Sequence, residues 1–234
     1  MKIDLKDIDV VAFDADDTLW DNEIYFRESE KEFCGLLDGY ANEEEVTRVL
    51  YEVEEANIPL FGYGVKSFAM SMLETVGRLT GETAPYALVK AVMEIARRQL
   101  MRPVTVISSV QTVLESLYGR CRLVMATKGD IIDQWRKVHL SGLEHYFDHV
   151  EIMCDKREAD YARMIKVLRC NADRFLMVGN SLRSDILPVI SLGGYGVHIP
   201  YHTTWMHEVV DEEISHERFC ELKSIKELLV LFNI

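Results

Sequence analysis

The chain contains 234 residues, of which 48% are hydrophobic and 28% are charged. This composition excludes a disordered chain and fits one large domain, or a core domain with a smaller insert. The net charge of -13 at pH 7 argues against binding to nucleic acids or anionic membranes, since both need clustered basic residues. An anionic ligand would therefore need local positive charge in its site, such as a metal ion or a buried lysine.

The distribution of the cysteines and the N-terminal sequence both bear on the expected cellular compartment. The five cysteines are scattered and have no CxxC spacing, which favours a reducing environment over a disulfide framework or a zinc site. The N-terminal residues lack the basic start and small-residue cleavage site of a signal peptide. No apolar run reaches the roughly 18 to 20 residues that span a bilayer. We therefore expect a cytoplasmic protein without a membrane partner.

Five short apolar runs have the length and composition of buried parallel strands. They are Val10–Phe13, Arg122–Ala126, Val150–Met153, Phe175–Val178 and Tyr195–Ile199. Apolar residues at helical spacing lie between most of them, at Val110–Tyr118, Ile131–His139 and Asp160–Leu168. This alternation predicts an α/β fold, with a Rossmann-like parallel sheet and helices on both of its faces.

The stretch after the first strand does not alternate. It is predicted to form four helices, at Phe26–Leu37, Glu43–Glu55, Val65–Leu79 and Tyr86–Leu100. The predicted breaks are Asp38–Gly39, Asn57–Pro59 and Thr80–Pro85. The chain is therefore divided into a discontinuous catalytic core (1–20 and 102–234) and an inserted helical cap (21–101).

Two aspartates follow the first strand. Asp14 and Asp16 are two residues apart, so along an extended chain they project to the same side. Nearby carboxylates repel each other, and a divalent cation is the usual reason to hold them together. In open α/β sheets, ligands bind beyond the carboxyl ends of the strands. The alternative is an ordinary turn, in which acidic residues are common.

The ends of the other strands carry polar residues that suit phosphate chemistry. Thr127 and Lys128 end the second strand, where a hydroxyl and backbone N–H groups can bind phosphate oxygens. Lys156 follows the third strand and can neutralise the charge on a transferring phosphoryl group. Asn180 and Asp185 follow the fourth and can complete a Mg²⁺ shell. Each has an ordinary alternative, namely a turn threonine, a solvated lysine and a capped helix start.

Taken together, these segments resemble the four motifs of the haloacid dehalogenase-like hydrolase superfamily. Asp14, Asp16 and Thr18 match the first motif, which is highly specific. Thr127 matches the second motif and Lys156 the third. The fourth is normally Gly-Asp with a later Asp, and here Asn180 replaces its first aspartate while Asp185 matches the later one. The resemblance covers nearly the whole chain, and the insert resembles the family's C1-type cap.

The resemblance implies a mechanism for the hydrolysis of a phosphate ester. Asp14 is the nucleophile that forms an aspartyl-phosphate, and Asp16 is the general acid and base. Lys156 orients the nucleophile, and Thr127 with the Lys128 N–H holds phosphate oxygens. The implied cofactor is Mg²⁺, held by the Asp14 carboxylate and the Asp16 carbonyl, together with Asn180 or Asp185. A C1-type cap implies a small phosphorylated metabolite as substrate.

Three alternatives remain open at this point. A 2-haloacid dehalogenase also uses an aspartate nucleophile, but it needs neither a metal nor an acid at position 16. A catalytically idle scaffold would have no physical reason to keep so many charged groups together. A phosphomutase is not excluded, and the sequence specifies neither the substrate nor the oligomeric state.

Overall fold

A computed structural model describes residues 3–81, 84–203, 205–208, 210 and 214–234. Its strands are β1 (Val10–Phe13), β2 (Arg122–Lys128), β3 (His149–Met153), β4 (Phe175–Gly179), β5 (Tyr195–His198) and β6 (Phe219–Glu221). They form one parallel sheet in the order β3-β2-β1-β4-β5-β6. The chain reverses its direction across the sheet at β1, and such a switch point is where open α/β sheets bind ligands.

The helices divide into two groups along the chain. The first group lies between β1 and β2 and consists of α1 (Glu23–Leu36), α2 (Glu43–Phe61), α3 (Val65–Thr80), α4 (Tyr86–Leu100) and α5 (Val110–Leu117). The second group connects or follows the later strands and consists of α6 (Ile131–Ser141), α7 (Glu158–Val167), α8 (Leu187–Ser191) and α9 (Glu227–Leu231). A π-helical segment, Leu182–Ile186, precedes α8. In the described residues, no helix is both long enough and apolar enough to cross a bilayer.

The sheet separates two hydrophobic clusters because side chains alternate along each strand. In β1, Val11 and Phe13 belong to one cluster, which also contains buried residues of α5 and α9. Val10 and Ala12 belong to the other cluster, which contains buried residues of α7 and α8. All four β1 side chains are fully buried. The predicted α/β fold with helices on both faces is thus confirmed.

Contacts between residues divide the chain into two compact units. One consists of the described residues of Met1–Glu23, Val104–Lys128 and Gln134–Ile234, and it contains the sheet. The other consists of Ile24–Pro103 and Gly129–Asp133, and it has its own hydrophobic cluster, which includes Phe33, Leu50 and Met72. The assignment of the helical unit as a catalytic cap stays a prediction.

The predicted break at Asn57–Pro59 is wrong, because α2 continues to Phe61. Asn57 is buried and donates hydrogen bonds to Ser71 and Glu74, each at 3.2 Å, which ties this part of α2 to α3. Pro59 lies in the last turn, where a missing N–H removes only one helical hydrogen bond. Side-chain contacts therefore outweigh the local preference of proline. The break at Thr80–Pro85 includes residues 82 and 83, which lie outside the described residues.

The sequence patterns also missed β6, α8 and α9, whereas the capped helix start considered after the fourth strand corresponds to the π-helical segment, whose N-cap is Ser181. β6 has three residues and no buried side chain, and each of the two helices has five residues. A five-residue helix contains at most about one and a half turns, and the side chains of a three-residue strand alternate between its faces only once. Periodicity cannot identify them, so only contacts with the rest of the sheet define them.

Replacement of Pro59 by alanine tests the helical continuity of α2. Proline costs about 3 kcal/mol relative to alanine in a helix interior, and the entropy of the unfolded chain offsets about 1 kcal/mol of this. The net gain of about 2 kcal/mol should raise the melting temperature of Pro59→Ala by about 4 to 8 °C. Leu60→Ala, at a side chain that is 76% exposed, should change it little. A lower melting temperature for Pro59→Ala would contradict this account.

Candidate active site

Four polar side chains lie at the carboxyl ends of neighbouring strands. Asp14 directly follows β1, Asn180 directly follows β4, Thr127 lies at the end of β2, and Lys156 lies three residues after β3. β1 is hydrogen-bonded to β2 on one side and to β4 on the other. The backbone N–H of Asp14 donates to the Val178 carbonyl at 2.9 Å, which continues the β1–β4 pairing to the site. The sheet order thus gathers residues that are far apart in the sequence.

The centre of the site is a buried ionic group. The Lys156 ammonium donates to Oδ1 of Asp14 and, at 2.7 Å, to Oδ1 of Asp185. The side chains of Lys156, Asp14 and Asp185 are 2%, 8% and 1% exposed, respectively. An isolated charge would be very unfavourable at such burial, so each group depends on the others. With two carboxylates and one ammonium, the group carries an excess negative charge.

The pKa values of this group reflect its burial and its excess negative charge. Burial raises the pKa of Asp14 to about 7, against the lowering effect of Lys156, and the charges of Asp185 and Asp16 raise it further. Burial lowers the pKa of Lys156, but Asp14 and Asp185 outweigh this effect, and its pKa is raised overall. Lys156 therefore stays charged, and ionised Asp14 is under electrostatic strain without a further positive charge.

Three oxygen positions converge beside Asp14. The side-chain oxygen of Asn180 faces Oδ2 of Asp14 at 3.2 Å and the backbone oxygen of Asp16 at 3.3 Å. The Thr18 hydroxyl donates to the same Asp14 oxygen at 3.0 Å. Oxygens that face each other repel, and either a rotated Asn180 amide or a cation removes this repulsion. Adjacent ligands of octahedral Mg²⁺ are about 3 Å apart, so this donor set fits the ion.

Donors surround the Asp16 carboxylate on several sides. Lys137 donates to its Oδ1 at 2.6 Å and to its Oδ2 at 2.7 Å. The indole N–H of Trp20 donates to Oδ1 at 2.6 Å, and Gln134 donates to Oδ2 at 3.2 Å. Asp17, the next residue, turns elsewhere and accepts the backbone N–H groups at the start of α1. Asp16 is thus held in one orientation.

The two predicted phosphate ligands already have protein partners. The Thr127 hydroxyl is buried and accepts a hydrogen bond from Gln134. The Lys128 ammonium donates to Ser184 at 2.9 Å and pairs with Glu208. Burial raises the pKa of Glu208, but the lysine charge and the hydrogen bonds from Lys128, Ser181 and Ser184 together outweigh it, so this pKa is lowered overall. The Lys128 side chain is therefore charge-balanced, and the proposed phosphate contact rests on its backbone N–H.

Asp185 faces Lys156, and protein donors bind both of its oxygens. Its Oδ1 accepts from Lys156, and its Oδ2 accepts the Ser181 N–H at 3.0 Å. A Cβ atom on Gly179 would lie 2.2 Å from Asp185 Oδ2, so only glycine fits at this position. Of the predicted metal ligands, Asn180 is the one whose side chain joins the oxygens beside Asp14. A ligand role for Asp185 stays a prediction.

The sequence analysis missed Gln134, Lys137 and Tyr161. Gln134 and Lys137 are three residues apart on α6, so they share a helix face. Tyr161 on α7 is fully buried, and its hydroxyl lies 3.4 Å from Asp185. The sequence does contain a signal, namely two polar residues that are three positions apart in the first helix after the second motif. Their target, however, depends on the sheet order.

Replacement of Asp14 by asparagine tests the strain in the buried ionic group. In the metal-free folded protein the pKa of Asp14 is about 7, against the ordinary value of 3.8. Between these values the folded protein binds more protons than the unfolded one, so wild-type stability falls as pH rises. An asparagine at this position cannot ionise, so the variant avoids this loss. In EDTA, we expect Asp14→Asn to melt at least about 2 to 4 °C higher at neutral pH, with a smaller gain near about pH 4.

The exposed carboxylate of Asp173 provides a matched control, because Asp173→Asn removes the same charge from the same unit. It should leave the melting temperature within about 1 °C. A melting temperature for Asp14→Asn below that of the wild type at neutral pH would contradict the proposal that ionised Asp14 destabilises the fold.

Comparison with known proteins places the chain in a family. A solved haloacid dehalogenase-like family hydrolase from Xanthomonas campestris is 35% identical, with a TM-score of 0.85 over 97% of this chain and 92% of that chain. Glyceraldehyde 3-phosphate phosphatase of Methanothermobacter thermautotrophicus is 25% identical over 78% of this chain and 81% of its own length. Human N-acylneuraminate-9-phosphatase is 23% identical over 81% of both chains.

The family model for haloacid dehalogenase-like hydrolases matches residues 8–193, which include all four motifs. The resemblance that the motifs indicated is therefore confirmed. The chain belongs to the haloacid dehalogenase-like hydrolase family.

Proposed function

We propose that the protein is a Mg²⁺-dependent phosphatase that hydrolyses a small phosphorylated metabolite through an aspartyl-phosphate. The observation that carries this proposal is the placement of Asp14 at the end of the central strand. One of its oxygens is hydrogen-bonded to Lys156, and the other faces the Asn180 side-chain oxygen, which also faces the Asp16 carbonyl. A carboxylate held between a cation and a set of oxygen ligands is suited to attack phosphorus.

Asp14 acts as the nucleophile in this proposal. Its carboxylate forms a bond to phosphorus as the ester oxygen leaves, which divides a difficult hydrolysis into two easier steps. Lys156 fixes the orientation of the carboxylate and balances its charge, while Asp185 holds Lys156 in place. Water then attacks the aspartyl-phosphate, and inorganic phosphate is released.

The metal ion would be held by the Asp14 carboxylate, the Asp16 backbone carbonyl and the Asn180 side-chain oxygen. When bound, Mg²⁺ supplies positive charge that reduces the repulsion between Asp14 and an anionic phosphate. Asn180 is a neutral ligand in a place where the family usually has an aspartate. We therefore expect weaker metal binding than a third carboxylate would give.

Asp16 and Thr127 complete the proposed machinery. Asp16 protonates the leaving oxygen and then accepts a proton from the attacking water, as a general acid and base. The Thr127 hydroxyl donates a hydrogen bond to a phosphate oxygen. This requires only rotation of the hydroxyl, because Gln134 already donates to the hydroxyl oxygen. The Lys128 N–H is the second proposed phosphate donor.

The names of two relatives support a small phosphorylated substrate. Glyceraldehyde 3-phosphate and an acylneuraminate 9-phosphate are both small phosphate esters. The helical unit, as a proposed cap, favours the same class, because a lid that closes over its ligand excludes water and large esters. A cytoplasmic location agrees with a reducing environment for the cysteines.

Asp16 argues against a 2-haloacid dehalogenase, because dehalogenation has no leaving oxygen to protonate. Its carboxylate is held by three side-chain donors, including the charged Lys137. A dehalogenase would release halide without a metal ion. Release of phosphate and of halide, each measured with and without EDTA, therefore separates the two activities.

A screen of small phosphate esters with Mg²⁺ tests the proposed activity. We expect phosphate release by the wild-type protein, its loss in EDTA, and a fall of at least about 10³-fold in kcat for Asp14→Asn, since no covalent step remains. Transient labelling of wild-type protein by a ³²P-labelled ester should disappear in this variant. Turnover by Asp14→Asn comparable to that of the wild type would contradict the assignment of Asp14 as the nucleophile. A bisphosphate intermediate with a phosphosugar substrate would indicate a mutase.

Replacement of Asn180 by aspartate tests whether Asn180 is a metal ligand and whether its lack of charge weakens Mg²⁺ binding. The added negative charge should lower the Kd for Mg²⁺ by about tenfold, which corresponds to about 1.4 kcal/mol. The Kd can be measured from the Mg²⁺ dependence of activity and by calorimetry. Asn171→Asp adds the same charge at an exposed position of the same unit and should leave the Kd unchanged. Equal Kd values for wild type and Asn180→Asp would count against Asn180 as a ligand.

A further inference from the structure

We propose that Lys137 is a positioning residue for Asp16, which it orients and whose carboxylate it stabilises as the leaving oxygen takes the proton. Gln134 and Trp20 assist it. This inference rests on the proposed phosphatase function and assigns a role to residues outside the four motifs. Its consequence is selective, because Lys137 matters most for esters whose leaving group needs a proton.

Among the described residues, the Lys137 ammonium is hydrogen-bonded chiefly to Asp16. Its side chain is 10% exposed, and it donates to both oxygens of Asp16, at 2.6 and 2.7 Å. Its other hydrogen bond, at 3.2 Å, goes to the side-chain oxygen of Asn22. Removal of an ammonium group from water is unfavourable unless its partners compensate. Asp16 is the charged group that compensates here.

Asp16 receives four hydrogen bonds from three side chains. Each of its oxygens accepts one bond from Lys137, and Trp20 and Gln134 provide the others. An aspartate at a strand end can rotate about two bonds, and this set of donors selects one orientation. A preorganised acid avoids the entropic loss of finding its position during the reaction.

Gln134 links the acid to the phosphate-binding end of β2. Its side-chain N–H₂ group faces Asp16 Oδ2, the Thr127 hydroxyl and, at 3.0 Å, the Lys128 carbonyl. The proposed acid and the proposed phosphate ligand therefore share one support. Because Gln134 and Lys137 lie on the same face of α6, the helix fixes both contacts together.

The chemistry gives Lys137 a specific effect on the first step. As the bond from Asp14 to phosphorus forms, the bond from phosphorus to the ester oxygen breaks, and the proton of Asp16 passes to that oxygen. Asp16 becomes a carboxylate at this moment. Lys137, Trp20 and Gln134 already point at the oxygens on which this charge develops, so their effect is realised in the transition state.

Leaving-group dependence tests this role. In Lys137→Met, we expect kcat/KM for a small alkyl phosphate, such as glycerol phosphate, to fall by about 10²-fold. The value for p-nitrophenyl phosphate should fall by less than about threefold, because p-nitrophenolate leaves without a proton. The ratio kcat/KM reports the steps up to leaving-group departure, so hydrolysis of the aspartyl-phosphate does not affect it.

The controls separate a positioning role from a structural one. Lys166→Met removes an equal charge from an exposed site in the same unit and should change neither substrate's kcat/KM. Trp20→Phe removes a different donor to Asp16 and should show the same selectivity, so it carries the test if Lys137→Met does not fold. Melting temperatures identify variants that are merely unstable.

The outcomes distinguish this inference from the proposed function. An equal fall for both substrates, no fall, or a rise in kcat/KM for the alkyl ester would overturn the role of Lys137. The phosphatase assignment would survive if wild-type turnover still required Asp14. Absence of phosphate release by the wild-type protein from every ester tested would overturn the proposed function and, with it, this inference.

Discussion

The contact between the Lys156 ammonium and the carboxylates of Asp14 and Asp185 is the interaction on which the site depends. All three groups are almost completely removed from water, so a charged Lys156 needs a carboxylate beside it and an ionised carboxylate needs Lys156. Burial, together with the charge of Asp185, keeps the pKa of Asp14 high, and a further positive charge would relieve the excess of carboxylates. The same imbalance lowers the stability of the fold and would suit the site to the metal ion that we propose, so stability is lost where function would gain.

The parallel sheet explains how such a cluster can form from distant segments. β1 is buried on both faces and lies between β2 and β4. The residues at the carboxyl ends of these three strands therefore lie side by side. Gly179 allows Asp185 to approach the end of β4 without a side chain in the way. The backbone therefore supplies most of the geometry, and a few buried polar contacts set the final orientation of each functional group.

Much of this arrangement could be predicted from the sequence, because parallel strands bring their carboxyl ends to one edge. That rule, with the motif spacing, was enough to select Asp14, Thr127 and Lys156, although their catalytic roles stay predictions. The rest depended on packing. Lys137 contacts Asp16 only because β2 lies beside β1 and α6 follows β2, and Glu208 reaches Lys128 from 80 residues away. The continuity of α2 through Pro59 likewise came from contacts with α3, which no local pattern encodes.

The bond from Trp20 to Asp16 gives the protein an internal optical reporter. The indole is fully buried, and its N–H points at the carboxylate proposed to exchange protons during turnover. Indole emission responds to the electric field along its ring, so it changes with the charge on that carboxylate. In a variant in which the other two tryptophans, Trp135 and Trp205, are replaced by phenylalanine, the fluorescence of this one side chain is therefore expected to follow the state of the site without an added label.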